Sequence, residues 1–455
     1  MEDKITCTIG GIEQSVQPIG NHLQWHGIDL FKLSEKHGSP LKLSYLPIIK
    51  DRIQLAKNLF AKAFAETDYS GSYEYCYCTK SNQLSFIVQE ALRSGAHLET
   101  SSEYDIDIII SLCSKAVIDT KTYLIHNGTK SVTYLKKIKR LQELGFTNSI
   151  IVIDSIPEFA RIKGIFPNSQ RIGLRKATYD ASFGCSRLGL SEVDIRTLVS
   201  QIKRDNRYSL EMLHFFVDSG MGDVSNYLRE LDESLETYKY LQSHFSSLRF
   251  LNIGGGMPPL KQGFNQDDAG NFVFKIMNRI KEFCDANGIN NPDIFTEFGS
   301  YTVAESGAVI FEVIEVKQTE DGNTWYILNN SLMTTIPDNY SIRTPFQVMA
   351  INNIGHEKIQ VKIGGISCDQ YDVLFGKEDH QIVLMPKIIG SNRLFVAIFN
   401  TGAYQDSLSG YGGIKHCLIQ SPKHMVLNKD EKGKVNEYQF KAEQSSGEML
   451  AILGY

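Results

Sequence analysis

From about residue 70 to residue 300, short apolar, β-rich runs alternate with amphipathic stretches. The runs are YEYCYCTK (73–80), HLETSS (97–102), TYLIHNG (122–128), SIIVIDS (149–155), RIGLRK (171–176), EMLHFFVD (211–218), RFLNIGGG (249–256) and DIFTEFGS (293–300). The stretches between them have helical periodicity. SNQLSFIVQEALRSG, for example, places Leu84, Ile87, Val88, Ala91 and Leu92 on one face, and Gly95 can stop it. Strand–helix alternation favours parallel pairing with right-handed crossovers. Eight such units predict an α/β region built as a (β/α)8 TIM-type barrel over residues 39–305. On pattern alone, an open doubly wound sheet is the alternative.

Beyond residue 305 the texture changes. AVIFEVIEVKQ, TWYILNNSL, KIQVKIGG, QIVLMPK and LFVAIFN are strand-like, with few helical segments between them. This predicts a C-terminal antiparallel β domain over residues 306–455, with the segment 1–38 joining it as an edge strand or helix. Low-complexity segments and internal repeats are absent by inspection.

Composition narrows the class. Of 455 residues, 42% are hydrophobic, enough for a large core shared between domains. The net charge is −5 and no polybasic tract stands out, which argues against a nucleic-acid partner. MEDKITCTIGG lacks a charged segment followed by an apolar one, and no apolar run is bilayer-length, so no membrane partner and a cytoplasmic location are expected. The eight cysteines are scattered, which predicts reduced and mostly buried thiols. Cys76 and Cys78 form a C-x-C without a second close pair, so no metal site is expected.

In a barrel, ligands bind at the C-terminal strand ends. The first run ends in Lys80, the fourth near Asp154, and the sixth carries His214 with Asp218, Ser219 and Gly220. The seventh ends in Gly254, Gly255 and Gly256, and the eighth carries Glu297, Gly299 and Ser300. Period-two alternation puts Cys76, Cys78 and Lys80 on one face and Tyr75, Tyr77 and Thr79 on the other. Small cysteines suit a narrow interior, so Lys80 should sit at the inner rim. Each feature alone has a plainer reading: a solvated lysine, a tight turn, a salt-bridged glutamate, a satisfied core histidine. Together, an amine, an anion cradle and a lone carboxylate are what pyridoxal phosphate requires.

The chain resembles the fold-type III pyridoxal-phosphate decarboxylases, the group of ornithine, diaminopimelate and biosynthetic arginine decarboxylases. YCTKSNQ resembles the family's Y-x-x-K-x-N motif, which implies that Lys80 carries the cofactor. HLETSSEYD is similar to the segment that follows it, and LNIGGG matches the phosphate-binding glycines. TEFGS stands where the family has E-P-G-R, which implies Glu297 opposite the pyridine nitrogen, with Gly299 and Ser300 beside the cofactor. SCDQYD resembles the C-D/E motif supplied across a homodimer interface. The resemblance thus assigns Cys368 to catalysis and Asp369 to the substrate side chain. GAYQ implies Tyr404 at the cofactor of the same shared site.

Three departures stand out. Aligning LHFFVDSG with L-H-x-H-x-G-S puts Phe216 where the family stacks a histidine, while Ser219 keeps the phosphate-side hydroxyl. The arginine of E-P-G-R has become Ser300, and Asp218 replaces a glycine. SCDQYD offers two carboxylates, Asp369 and Asp372, to a basic side chain, and a guanidinium accepts planar carboxylate pairing. L-arginine, giving agmatine for polyamine synthesis, is therefore the expected substrate. Diaminopimelate remains open because Arg343 in IRTPF lies in a segment where such enzymes hold a second carboxylate; ornithine and lysine also remain open. Outside this class stand a racemase and a non-catalytic pyridoxal-phosphate-binding protein.

Overall fold

The computed structural model describes residues 15–180, 184–217, 220, 223–260, 264–341, 346–374 and 381–455. They form two compact units. One comprises Ile49–Pro258 and Gln266–Thr302; the other takes the chain up to Ile48, the short stretch Pro259–Asn265 and everything from Val303.

All eight expected runs form strands of the first unit: Tyr73–Cys78, His97–Thr100, Leu124–His126, Ser149–Ile153, Gln170–Arg175, Tyr208–His214, Phe250–Asn252 and Asp293–Phe298. They close into a parallel barrel, because the last pairs with the first, Glu297 opposite Cys76. Closure removes the open sheet as an alternative. The interior is filled by Cys76, Ile125, Ile150, Val152, Met212, Phe250 and Phe295, so the first strand does point Cys76 inward. Several of the intervening helices start where side chains satisfy their first amides. Ser102 with Asp105, and Ser191 with Asp194, form capping boxes for Glu103–Ser114 and Glu192–Ile202.

In the second unit a nine-stranded, mostly antiparallel sheet runs in the order Ile382–Pro386, Lys358–Gly364, Thr324–Leu328, Gly307–Gln318, Leu41–Tyr45, Lys423–Lys429, Val435–Lys441. Leu394–Phe399 also pairs with Gly307–Gln318, and Gln347–Ala350 pairs with Leu394–Phe399. Two pairs are parallel, Thr324–Leu328 with Lys358–Gly364 and Leu41–Tyr45 with Lys423–Lys429. The strand Leu41–Tyr45, expected with the barrel, thus belongs to this unit: it is buried throughout and hydrogen-bonded on both edges inside the sheet. Among the described residues, the N-terminal segment adds no edge strand to that sheet. It builds its own three-stranded sheet, Val16–Ile19, His22–Trp25 and Ile28–Asp29, and a helix, Leu30–His37.

The thiols are less buried than the sequence implied. Among the described cysteines, Cys76, Cys78 and Cys284 are buried, but Cys185, Cys368 and Cys417 are exposed. No helix among the described residues is long and apolar enough to cross a membrane.

Each unit contains a buried imidazole that bonds at both nitrogens. His126 meets the Thr100 hydroxyl at 2.7 Å and the Ser149 hydroxyl at 2.8 Å. His424 meets Ser44 at 2.9 Å and Tyr411 at 3.2 Å. Burial first, then Lys130 beside His126 and Lys42 beside His424, lowers both to about 3. Such a ring takes up its proton only in the unfolded chain, so acid favours unfolding. Nothing is lost above the unfolded value of about 6.5, and below it each ring costs about 1.4 kcal/mol per pH unit until the folded value is reached. Denaturant unfolding followed from about pH 7.5 down to about pH 5 should show this decline. His126→Asn should be less stable overall yet lose stability less steeply with acid; an unchanged slope would remove His126 as a cause.

Candidate active site at the mouth of the barrel

Every barrel strand delivers a polar side chain at or just beyond its C-terminal end. In strand order these are Lys80, Glu99, Asn127, Asp154, Arg175, His214, Asn252 and Glu297. All but Lys80 are buried; the Lys80 side chain is 46% exposed. Lys80 lies in the single turn Thr79–Ser81 that ends the first strand. The Thr79 hydroxyl donates to the Glu99 carbonyl at 3.0 Å, which fixes that turn against the second strand.

A chain of contacts runs from the lysine to the eighth strand. Lys80 Nζ is 3.7 Å from Glu99 Oε2. Asn127 Nδ2 donates to Glu99 Oε1 at 3.1 Å and to both oxygens of Glu297 at 2.9 Å. Asn252 Nδ2 donates to Glu297 Oε1 at 2.6 Å, and its own Oδ1 accepts from the Gly254 amide at 3.0 Å. Burial raises the Glu297 carboxyl, opposed by Lys80, the two amides and Arg175. Burial lowers Arg175, opposed by Asp154, Glu297 and Glu99. His214 Nε2 is 3.8 Å from Glu297 Oε2, and burial followed by Arg175 lowers the imidazole to about 3, so it is neutral.

The glycine run packs against the backbone of Glu297, whose amide donates to the Gly254 carbonyl at 2.8 Å. Gly254 and Gly256 have φ of +69° and +94°, conformations that favour glycine. A Cβ on Gly255 would lie 2.6 Å from the Glu297 carbonyl oxygen, and one on Gly256 would lie 2.8 Å from Gly220 Cα. The Phe216 ring flanks the run, 3.2 Å from where a Gly254 Cβ would be, and the Thr178 hydroxyl donates to the Phe216 carbonyl at 2.7 Å. Gly299 and Ser300 follow Glu297 closely, Ser300 opening a four-residue helix.

The structure thus brings together Lys80, Phe216, Gly254, Gly255, Gly256, Glu297, Gly299 and Ser300 in one unit. Ser219, Asp218 and Arg343 lie outside the described residues. Glu99, Asn127, Arg175 and Asn252 are additions that the motif reading passed over. Their signal was a polar residue closing an apolar strand, the same signal that singled out Lys80.

Cys368, Asp369, Asp372 and Tyr404 belong to the β unit. Tyr404 has φ +63° and ψ −17° at the start of the helix Gln405–Ser409, a left-handed conformation uncommon for a non-glycine residue. Cys368 and Asp369 lie in one loop, with Cys368 exposed. Cys368 Sγ is 3.4 Å from Cys417 Sγ, and Asp369 Oδ2 is 3.4 Å from His416 Nε2. The hydrogen bond to the Cys417 thiol, and then its charge, push the Cys368 thiol up. Asp372 is not available as a second substrate carboxylate. It is 2% exposed, and its oxygens already accept from the Ser331 hydroxyl at 3.1 Å, the Met333 amide at 2.9 Å and the Ser367 amide at 3.1 Å.

Residues 50–304 match the family described as pyridoxal-dependent decarboxylase, pyridoxal binding domain. The chain belongs to this family. Among curated relatives, the biosynthetic arginine decarboxylase of Prochlorococcus marinus (strain MIT 9515) is 26% identical over 342 residues, 68% of this chain and 52% of the relative. Biosynthetic arginine decarboxylase 2 of Synechocystis sp. is 25% identical over 332 residues, 64% of this chain and 49% of the relative. The chain therefore spans about half the length of the curated relatives it matches. Two solved structures share the fold. The biosynthetic arginine decarboxylase of Campylobacter jejuni superposes with a TM-score of 0.82 at 19% identity, covering 98% of this chain and 90% of that one. A diaminopimelate decarboxylase from M. jannaschii gives 0.76 at 17% identity, covering 96% and 97%.

The barrel residues fit the family's cofactor. A buried carboxylate held by two amides offers a partner to a pyridine nitrogen, and a glycine run without room for side chains offers backbone to a phosphate. Asn127 Oδ1 and His214 Nδ1 are buried beside that carboxylate without a hydrogen-bond partner among the described residues, so polar capacity remains for a bound group. Filling the cradle should weaken cofactor binding. Gly255→Ala forces a methyl against the Glu297 carbonyl, and overpacking of this kind costs about 1–3 kcal/mol. Its affinity for pyridoxal phosphate, measured by equilibrium dialysis, should fall by about tenfold or more. Wild-type affinity would show that the run does not approach the cofactor.

Proposed function

We propose that this chain is a pyridoxal-phosphate-dependent decarboxylase of a basic amino acid, with L-arginine as substrate and agmatine as product. The observation that carries the reading is the linked row Lys80, Glu99, Asn127, Glu297 and Asn252 across the barrel mouth. The names of the curated relatives support the choice of arginine. Pyridoxal phosphate, when bound, supplies the electron sink for the bond pair left behind as carbon dioxide departs.

The chain's own residues do the rest. Lys80 would hold the cofactor through its amine, at the place where a substrate amine would also have to reach. Glu297 would partner the ring nitrogen, and its two amide donors keep the carboxylate oriented. Phe216 packs where the family uses histidine, giving an apolar face without a donor. Cys368 returns a proton to the substrate α-carbon, a role that suits a thiol held protonated. Asp369 would take the distal cation, and Tyr404 would help hold the cofactor. We assign the working unit to a homodimer in the cytoplasm, each site completed by Cys368, Asp369 and Tyr404 of a second copy.

Lys80→Ala and Cys368→Ala should each be inactive, and mixing them should restore partial activity. Borohydride treatment of cofactor-loaded wild type should fix the cofactor to the peptide containing Lys80. A label elsewhere removes Lys80 from this role, and no recovery between subunits that demonstrably exchange removes the shared site.

Substrate choice rests on Asp369. A hydrogen bond to a charged group contributes roughly 1.5–3 kcal/mol, so Asp369→Ala should lower kcat/KM for arginine by about 10–100-fold. Arginine, ornithine, lysine and diaminopimelate should be compared on the wild type and on Arg343→Ala. Preference for diaminopimelate, with Arg343 mattering more than Asp369, would replace arginine while leaving the decarboxylase in place.

A further inference from the structure

The pairing of Cys368 with Cys417 is built, not incidental. Both loops are fastened to one short stretch, Asn330–Thr335. On one side, the Ile366 amide donates to the Asn330 carbonyl at 3.2 Å, and Asp372 accepts from Ser331 and Met333. On the other, Asn330 Nδ2 donates to the Gln420 carbonyl at 3.1 Å, and Lys415 Nζ donates to the Thr334 carbonyl at 3.1 Å. Between these fastenings the backbone of Cys417 and Leu418 is left-handed, with φ of +54° and +51°. That unusual turn presents His416 to Asp369 and Cys417 to Cys368, so two adjacent residues of one loop face two adjacent residues of the other.

Both thiols are exposed, and their sulfurs are 3.4 Å apart. A disulfide needs about 2.05 Å, so the sulfurs must close by about 1.4 Å. We propose that Cys368 and Cys417 form a reversible oxidation site at which peroxide joins the two loops through a disulfide. The Cys417 thiolate attacks hydrogen peroxide, becoming a sulfenic acid and releasing water once a proton is taken up. The Cys368 thiol then displaces the hydroxyl, which leaves as a second water with the thiol's own proton. Two thiols and one peroxide thus give one disulfide and two waters, and a dithiol reverses the change. The effect on turnover rests on the reading of Cys368 as proton donor; the disulfide itself does not.

The test uses the full chain loaded with pyridoxal phosphate. Peroxide treatment, blocking of remaining thiols with N-ethylmaleimide and non-reducing peptide mapping should reveal a Cys368–Cys417 cross-link. Arginine turnover should fall with its formation, by about 100-fold or more at completion, the scale of losing a proton donor. Dithiothreitol should restore it. Cys417→Ser should form no cross-link, and its turnover is to be read against its own untreated value. Its peroxide damage should pass to irreversible oxidation of Cys368, beyond rescue by dithiothreitol. As a second measurement, phenylarsine oxide, which bridges two neighbouring thiols, should be retained by the wild type and not by Cys417→Ser. Absence of the cross-link while both thiols alkylate freely would overturn the proposal. A complete cross-link with undiminished turnover would instead overturn the role of Cys368 in catalysis and leave the oxidation site standing.

Discussion

The Glu297 carboxylate sits 5% exposed among parallel strand ends, and burial of this kind is costly unless donors replace water. Two amides do so, from Asn127 after the third strand and Asn252 at the end of the seventh. Only a closed barrel brings those ends to the same carboxylate. Asn127 is also shared with Glu99, which stands beside Lys80, so the lysine, the two acids and the two amides form one electrostatic unit. Replacing either amide with an apolar residue would leave a buried carboxylate short of a donor and loosen the orientation of the whole row.

The same constraint accounts for the charge states around it. His214 and Arg175 both crowd the carboxylate, but the imidazole is neutral, so positive charge at this wall comes from Arg175 and Lys80. Phe216 adds no charge and no donor. Its backbone is nevertheless fixed by Thr178, which makes it a stiff apolar wall. Ser300 stands where the family motif carries an arginine, and the proposed reading therefore leans on the close backbone approach that Gly254–Gly256 allow.

The barrel was legible in the sequence because parallel strands buried on both faces read as short apolar runs, and all eight runs became strands. The β unit was less so. Leu41–Tyr45, Gln347–Ala350, Lys423–Lys429 and Val435–Lys441 were not picked out by their local pattern. For Leu41–Tyr45 the partners lie far along the chain, and local pattern does not announce distant pairing. At the site, Lys80 and Glu297 could be found because their chemistry is unusual at a strand end. Glu99 and Asn127 close apolar strands in the same way, but the sequence does not show what each faces, Lys80 for Glu99 and Glu297 for Asn127. Asp372 misled because composition does not show whether a carboxylate's lone pairs are already taken. Cys417 gave no sign at all; only the turn at residues 416–418 makes it a neighbour of Cys368.

The strand Leu41–Tyr45 lies between Gly307–Gln318 and Lys423–Lys429, in the interior of its sheet, although it is made before the barrel. On the ribosome it emerges with both edges unpaired. Its first neighbour follows only after the whole barrel has been translated, on the order of tens of seconds later at about 5–20 residues per second. The barrel, drawn from Ile49–Pro258 and Gln266–Thr302, has its full complement of strands in that interval. Birth order and assembly order therefore run opposite ways: the earlier strand must be kept from foreign sheet edges while the later domain matures. Through that interval residues 41–45, an interior strand in the finished sheet, have none of the partners that later cover their edges.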